Sequence, residues 1–301
     1  MELRKIKEGI FYIADATNIG VFQLKEGFAL IDAPIDKDKA KKIIKILESN
    51  GIKPTDLILT HHHADHTGGA KYLKDKLNLT VYTSVKEKVF IENPILEPIY
   101  LSLGGEPFKP FLTKWIKSKE VKVDKVLKEG EFEIEGKNFR ILSLPGHSID
   151  MIGVEVDGVI FSADTFFSTK ILKKYIVPYF HNPYRFVESI EKLKSLPFDY
   201  ILPSHGELYT REEGLKVMDE NIKVVKELGE RLLSIIYEEK SIEEIIKSLS
   251  LPVDNVVVSF LITSSSLSYL LRFVDEVKAE VKVKNGIPRF CATCSFFNHL
   301  H

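Results

Sequence analysis

Residues 60–69 of this chain read Thr60-His61-His62-His63-Ala64-Asp65-His66-Thr67-Gly68-Gly69. They follow an apolar run at 57–59 that predicts a buried strand, and they precede a segment at 67–77 that predicts a helix. Neutral imidazole and carboxylate groups are the ligands that zinc and similar divalent ions bind. His61 and His63 can point to the same side of an extended loop, whereas Asp65 and His66 lie at the turn into the helix. The stretch therefore predicts a metal site in a strand-to-helix loop.

Three more potential ligands each follow the end of an apolar run. They are the histidine of Pro145-Gly146-His147, the aspartate of Ser162-Ala163-Asp164 and the histidine of Pro203-Ser204-His205. A single histidine after a strand is usually a surface residue, but loops at strand ends can converge on one site. The repeated pattern predicts one metal site built from seven side chains: His61, His63, Asp65, His66, His147, Asp164 and His205.

Asp32, in Leu30-Ile31-Asp32-Ala33-Pro34, fits the same pattern of a polar residue after a strand. Two interpretations are open at this position. The carboxylate either orients a metal ligand from behind or caps a turn.

With these motifs, about the first 210 residues resemble the metallo-β-lactamase superfamily. The resemblance implies an α/β fold, a four-layer αββα sandwich with the site at one edge of two sheets. It also implies two divalent transition-metal ions, zinc as the first choice and iron or manganese as alternatives. By position, the resemblance assigns a first metal to His61, His63 and His147, a second to Asp65, His66 and His205, and the bridging carboxylate to Asp164. Asp32 matches the family's early aspartate, and His62 fills a variable position that is not counted as a ligand.

Differences between this sequence and individual members of the superfamily reduce the number of activities to consider. Zinc β-lactamases lack the bridging aspartate, so the presence of Asp164 argues against β-lactamase as the main activity. Flavin-linked diiron members carry a glutamate in the first motif, whereas this chain keeps His63. The Cys-Gly-Arg element of hydroxyacylglutathione hydrolases is replaced by Phe166-Phe167-Ser168-Thr169-Lys170.

Composition places the chain among ordinary globular proteins. Its 301 residues include 42 basic and 43 acidic side chains, and the net charge of −1 gives no general attraction to nucleic acid or to an anionic membrane. No signal-peptide segment follows the charged N-terminus, and no apolar run is expected to approach the ~20 residues that span a bilayer. A cytoplasmic location is the resulting expectation.

Alternating strand and helix signals predict a catalytic domain over residues 1–210. Residues 90–115 are rich in proline, glycine and aromatic residues and predict an irregular insertion that covers the site mouth, forms a subunit contact or packs on the surface. Residues 211–301 predict a mainly helical module. It ends in a β-hairpin around Asn285-Gly286 and is suggestive of a winged helix.

The leading functional hypothesis is hydrolysis of a small ester, thioester or lactone. Two ions sharing a bridging water would lower its pKa to give hydroxide, and Asp65 would orient it or accept the proton. Alternatives are a metal-dependent endoribonuclease acting on single-stranded RNA and a mononuclear-iron persulfide dioxygenase. The predicted partner is a small-molecule substrate, with nucleic acid disfavoured, no membrane, and a homodimer as an option.

Two further patterns are weaker. Basic and aromatic residues after Asp164 could contact an anionic, partly apolar substrate: Lys173, Lys174, Tyr175, Tyr179, Tyr184 and Arg185. A second metal site or a redox pair at Cys291-x-x-Cys294, with His299 and His301, is less favoured than an ordinary chain terminus.

Overall fold

The structure, a computed structural model, describes residues 1–174 and 177–293, with the backbone alone at Lys173 and Lys174. Two β-sheets lie at its centre. The strands of the first sheet follow one another in chain order: β1 (Glu2–Lys7), β2 (Ile10–Ala14), β3 (Ile19–Gln23), β4 (Phe28–Ile31), β5 (Pro54–Ile58), β6 (Thr80–Thr83) and β7 (Lys125–Val126). The second sheet contains β8 (Gly130–Ile134), β9 (Lys137–Ser143), β10 (Ile152–Val156), β11 (Val159–Ala163), β12 (Tyr200–Pro203) and β13 (Tyr209–Thr210), also side by side in chain order.

Helices cover both outer faces and form most of the C-terminal region. They are α1 (Lys37–Ser49), α2 (Ala64–Thr67), α3 (Ala70–Leu77), α4 (Val85–Glu92), α5 (Leu96–Leu101), α6 (Thr169–Lys174), α7 (Pro183–Ser195), α8 (Arg211–Ile235), α9 (Ile242–Ser248) and α10 (Val256–Asp275). A 3-10 turn spans Lys109–Leu112, and the hairpin strands β14 (Ala279–Lys284) and β15 (Ile287–Ala292) follow α10.

The layers follow from the two-residue period of the strands. Leu30 and Leu57 pack outward in one core with α1 and α3, whereas their neighbours Ile31 and Ile58 pack inward against the second sheet. The other face of the second sheet shares a core with α7 and α8. Helix, sheet, sheet and helix therefore stack in that order, which confirms the predicted αββα sandwich.

The strands that precede the predicted site residues end at one edge of the sandwich. β4 and β5 run parallel in the first sheet, and β11 and β12 run parallel in the second. β9 is antiparallel to β10, which is antiparallel to β11, so β9 and β11 point the same way. This topology explains how loops far apart in sequence meet.

Several local predictions were wrong. The segment expected to be irregular over 90–115 contains α5 and a 3-10 turn, and α4 extends into it. Pro98 lies in the first turn of α5, where the missing N–H costs nothing, so the proline content did not exclude a helix. The helix expected over 67–77 is divided into α2 and α3 by Gly68 and Gly69. Strand β1 was not predicted.

Helix α10 also differs from expectation, because it is long and apolar enough by composition to cross a membrane. It contacts α5, α7, α8 and α9, and it buries Tyr269 and Leu270 in the core shared with the second sheet. A core helix passes the same composition test, so the span is weak evidence for a membrane.

The helical C-terminal region ends in the predicted hairpin. Asn285 and Gly286 at its tip have φ of 52° and 78°, values that suit a tight two-residue turn. Residues of α8, α9, α10, β14 and β15 share one apolar core with the second sheet. The division at residue 210 and the likeness to a winged helix stay predictions. Cys294, His299 and His301 lie outside the described residues.

Candidate metal centre

The first ligand loop is held against the exit of β4 by a close backbone approach. Strand β5 ends at Ile58, and α2 begins at Ala64, which places Asp65 in its first turn. A Cβ added at Gly68 would lie 1.9 Å from the carbonyl oxygen of Ile35. Only glycine fits there, and this contact brings the loop beside Asp32.

The carboxylate of Asp32 orients two of the predicted ligands. Its Oδ1 accepts the Thr60 backbone N–H at 2.7 Å, and its Oδ2 accepts the Thr60 hydroxyl and His66 Nδ1–H, each at 2.8 Å. The Thr60 oxygen is 3.0 Å from His61 Nδ1 and can accept its proton. In both rings Nε2 is left for another partner, so Asp32 lies behind the ligands and does not simply cap a turn.

Two more predicted ligands, His147 and His205, are held in the same manner, through the ring nitrogen that faces away from the centre. His205 Nδ1 donates to the carbonyl oxygen of Ala16 at 2.7 Å, and His147 Nδ1 to that of Tyr179 at 3.2 Å. Asp164 directly follows β11. These contacts set each ring's tautomer and leave its Nε2 for the centre.

The structure brings all seven predicted residues together. Possible ligand atoms of His61, His63 and His147 lie within 4.8 Å of one another, and so do those of Asp65, His66 and His205. Asp164 lies between the two groups: its oxygens are 3.3 Å from His147 Nε2, 3.6 Å from His66 Nε2 and 3.4 Å from His205 Nε2.

The donor atoms fit divalent metal ions. His61 Nε2, His66 Nε2 and Asp164 Oδ1 are buried, and none has a hydrogen-bond partner among the described residues. Leaving a buried polar atom unpaired costs about 1–3 kcal/mol, so three such atoms in one cluster need an explanation. Metal coordination supplies it, since three imidazoles and mixed Asp/His sets are ordinary zinc ligands.

Ionisation in the cluster suits cation binding. Burial and the neighbouring imidazoles lower the pKa of His61 and His63, which keeps both rings neutral. Burial opposes ionisation of Asp65 and Asp164, but the surrounding histidines outweigh it and lower the pKa of both carboxyls. Burial lowers the pKa of His205, but the same carboxylates outweigh it and raise that pKa to about 9, and they raise the pKa of His66 as well, so a metal ion would displace a proton from each of these two rings. Two carboxylates are therefore negative at neutral pH where a cation would bind.

Replacing Asp32 with asparagine tests its role. Asp32 has φ of 66°, a conformation that asparagine tolerates as well as aspartate, so the change isolates the carboxylate. Loss of an outer partner of this type costs roughly 10- to 100-fold in metal affinity, and we expect a loss in that range from chelator competition. Asp56→Asn is the matched control: Asp56 is buried in β5 and bonds Tyr82 Oη at 2.8 Å, away from the ligands. Equal affinities in the two variants would contradict the assignment.

The substrate contacts predicted after Asp164 divide into three groups. The ring of Tyr179 lies 5.5 Å from that of His63 and 5.9 Å from that of His147, so it walls the centre. Tyr184 instead donates to Glu276 at 3.2 Å in the C-terminal region, and Arg185 is exposed at the start of α7. The side chains of Lys173 and Lys174, and all of Tyr175, lie outside the described part of the chain.

Sequence reasoning missed two buried acids beside the centre, Glu87 of α4 and Glu97 of α5. Both contact His62, the histidine not counted as a ligand. A glutamate in a helix is ordinarily exposed, and neither lies in a motif, so no sequence signal pointed to them.

Comparison with known proteins identifies the family. The model of the metallo-beta-lactamase superfamily matches residues 12–205. The chain belongs to the metallo-β-lactamase superfamily. The match ends at the last predicted ligand, His205.

Curated members of this superfamily resemble part of the chain. Proteins named hydroxyacylglutathione hydrolase are 30% identical over 173 residues in Rhodopseudomonas palustris (strain BisB5) and 33% identical over 172 residues in Nitrobacter hamburgensis. In both cases the match covers 56% of this chain and 55% of the relative. The chain thus spans about half the length of the curated relatives it matches.

Solved structures of metallo-β-lactamase proteins share the fold through the C-terminal region. A metallo-beta-lactamase family protein from Thermus thermophilus superposes with a TM-score of 0.77 at 18% identity, covering 96% of this chain and 100% of that one. A beta-lactamase domain protein from Burkholderia ambifaria superposes with a TM-score of 0.72 at 14% identity, covering 97% and 93%. Similarity at these identities shows the fold alone.

Proposed function

We propose that this chain is a dinuclear metal-dependent hydrolase of a small ester, thioester or lactone. The first ion would bind His61, His63 and His147, and the second Asp65, His66 and His205, with zinc preferred over iron or manganese. The observation that carries the proposal is the position of Asp164 within 3.6 Å of histidine nitrogens from both groups. A carboxylate between two ligand sets is the arrangement that a bridging ligand requires.

The residues divide the chemistry between them. Two bound divalent ions would supply Lewis acidity and a nucleophile at neutral pH. Asp65 is the ligand carboxylate most open to solvent, with a side chain 36% exposed, and its Oδ2 lies 3.1 Å from His205 Nε2. Because the ionised carboxylate of Asp65 can accept a hydrogen bond from water, we assign it to orient the attacking water or to receive its proton. Tyr179 would line the side of the substrate facing His63 and His147.

The substrate class is inferred from the relatives and from what this chain lacks. The curated relatives are named hydroxyacylglutathione hydrolase, a name that denotes hydrolysis of an acyl thioester. They therefore support an acyl thioester as the substrate of this chain. The Phe166-Phe167-Ser168-Thr169-Lys170 stretch stands where those enzymes have Cys-Gly-Arg, and the Phe167 ring lies 5.7 Å from that of His147. An apolar ring at this position favours a small acyl group over a specific glutathione conjugate.

A substrate panel tests the proposal. Purified protein loaded with zinc or manganese should hydrolyse S-acyl thioesters, aryl esters or lactones, and chelation should abolish the activity until metal is restored. Asp65→Asn should reduce kcat by about 100-fold or more, the lower part of the 10²–10⁴ range of general acid–base catalysis. Single-stranded RNA should show no salt-sensitive binding at micromolar concentration, since phosphate recognition depends steeply on salt.

Two outcomes would reverse the assignment. Cleavage of labelled RNA that is lost in Asp65→Ala, with acyl substrates untouched, would favour the endoribonuclease. One iron per chain with oxygen uptake on a persulfide would favour the dioxygenase. We also propose a cytoplasmic location, a homodimer as an option and a domain boundary at residue 210.

A further inference from the structure

His62 is buried between two predicted ligands, and both of its ring nitrogens face glutamates. Its Nδ1 bonds Glu87 Oε2, and its Nε2 lies 3.0 Å from Glu97 Oε2. The ring also stacks on Phe90, with centroids 4.3 Å apart. Because both ring nitrogens contact carboxylates, His62 links the ligand loop to α4 through Glu87 and to α5 through Glu97.

Glu87 is fully buried, and its two oxygens hold two different loops. Oε2 accepts the backbone N–H of His62 at 3.0 Å as well as the bond from its ring. Oε1 accepts the Ser148 hydroxyl at 2.6 Å and the Asp150 backbone N–H at 2.9 Å. One carboxylate therefore joins the loop that carries His63 to the loop that carries His147.

These two loops belong to different sheets and must be placed accurately. His63 Nδ1 and His147 Nε2 lie 2.9 Å apart, a separation at which both can face one ion. A backbone bond from Ile152 to Thr60 at 3.1 Å also links the strand ends. Glu87 makes a further link, to the residues directly next to His63 and His147.

We propose that Glu87 is a positioning residue that sets His63 against His147 for metal binding, with Glu97 supporting it through His62. Burying a carboxylate is unfavourable unless its oxygens accept hydrogen bonds, and four donors satisfy Glu87. This gives α4 and α5 a function as a brace for the centre. The proposal rests on the proposed metal site but not on the identity of the substrate.

Glu87→Gln tests the proposal at nearly constant size. The amide nitrogen of the glutamine would have to face either the His62 N–H or the Asp150 N–H. Because both are donors, the hydrogen bond on that side must break. We expect metal affinity to fall roughly 10- to 100-fold by chelator competition, the usual cost of losing an outer partner. The visible absorption spectrum of the cobalt-substituted protein should also change, because the geometry of the three-histidine ligand set changes.

The controls separate positioning from stability. Glu92→Gln alters the same helix, where Glu92 accepts the Val123 N–H at 3.0 Å away from the ligands, and it should leave both metal readouts unchanged. Should Glu87→Gln fail to fold, Ser148→Ala removes one bond to Oε1 and should shift the cobalt spectrum in a milder form. Neither the metal affinity nor the cobalt spectrum depends on hydrolysis. A failure of the positioning role of Glu87 can therefore be distinguished from a failure of the proposed hydrolase activity. A Glu87→Gln protein with unchanged metal affinity and an unchanged cobalt spectrum would overturn the proposal, whatever its melting temperature. If Glu87→Gln does not fold, an unchanged cobalt spectrum in Ser148→Ala would overturn it.

Discussion

Replacing Asp164 with alanine is expected to lower bound metal from about two ions per chain to one or fewer. It should also reduce the rate of hydrolysis by more than about 100-fold. That is more than the roughly 10- to 100-fold loss that typically follows when a residue hydrogen-bonded to a metal ligand is removed. The reason is geometric: Asp164 lies within 3.6 Å of histidine nitrogens from both ligand groups, and its Oδ1 is buried without a hydrogen-bond partner among the described residues. A single substitution thus weakens both sites. Metal content by mass spectrometry and kcat on an acyl substrate measure the effect.

The matched control is Asp199→Ala. Asp199 precedes β12 at the end of that strand remote from His205, and it pairs with Lys7 on the surface. Surface ion pairs contribute about 0–1 kcal/mol, so this variant should keep its metal and its activity. Two ions retained in Asp164→Ala would show that the carboxylate does not bridge, and full activity with one ion would favour a mononuclear mechanism.

The convergence of the seven side chains was accessible from sequence because it follows from local patterns, whereas the four-layer sandwich was implied by the resemblance to the metallo-β-lactamase superfamily. Short apolar runs identified strands such as β4 and β5, and polar residues at strand ends identified the site. Asn285-Gly286 predicted the turn between β14 and β15, where both residues have positive φ. Each of these signals lies within a few residues of the feature it predicts.

The brace around His62 was not accessible because its partners are distant in sequence. Glu87 is 25 residues from His62 and Glu97 is 35 residues away, and the proline-rich composition of residues 90–115 obscured the helix that carries Glu97. Charged residues are seldom fully buried, so the default expectation for both is solvent. Their role emerges only when tertiary packing brings the helices against the ligand loop.

The contribution of the C-terminal region to the centre is a second feature of this kind. Ser265 Oγ of α10 accepts the Phe180 N–H at 2.9 Å, and Ser268 Oγ donates to the His181 carbonyl at 2.8 Å. The segment that they hold includes Tyr179, whose carbonyl oxygen bonds His147. The region after residue 210 thus supports one wall of the centre, a contribution that the prediction of a mainly helical module with a terminal hairpin did not include.

Gly146→Ala is the second substitution with a large expected effect. Gly146 has φ of +140°, and an added Cβ would lie 2.3 Å from the backbone nitrogen of Phe186 at the start of α7. A backbone atom cannot turn aside as a side chain can, so the loop must move and take His147 with it. We expect a loss of more than about 4 kcal/mol in the free energy of unfolding, a magnitude reserved for a few disruptive mechanisms. Any folded fraction should bind metal weakly, as measured by denaturant unfolding and metal content.

Gly130→Ala separates backbone strain from the steric clash. Gly130 has φ of +135°, almost the same conformation, but nothing lies within 4 Å of where its Cβ would be. Strain from an unfavourable φ alone costs about 1–3 kcal/mol, so this variant should lose that much stability and keep its metal. The difference between the two variants is therefore the cost of displacing α7 from the His147 loop. Equal losses of stability and normal metal binding in Gly146→Ala and Gly130→Ala would contradict the prediction. The close contact between Gly146 and Phe186 would then not determine the position of His147.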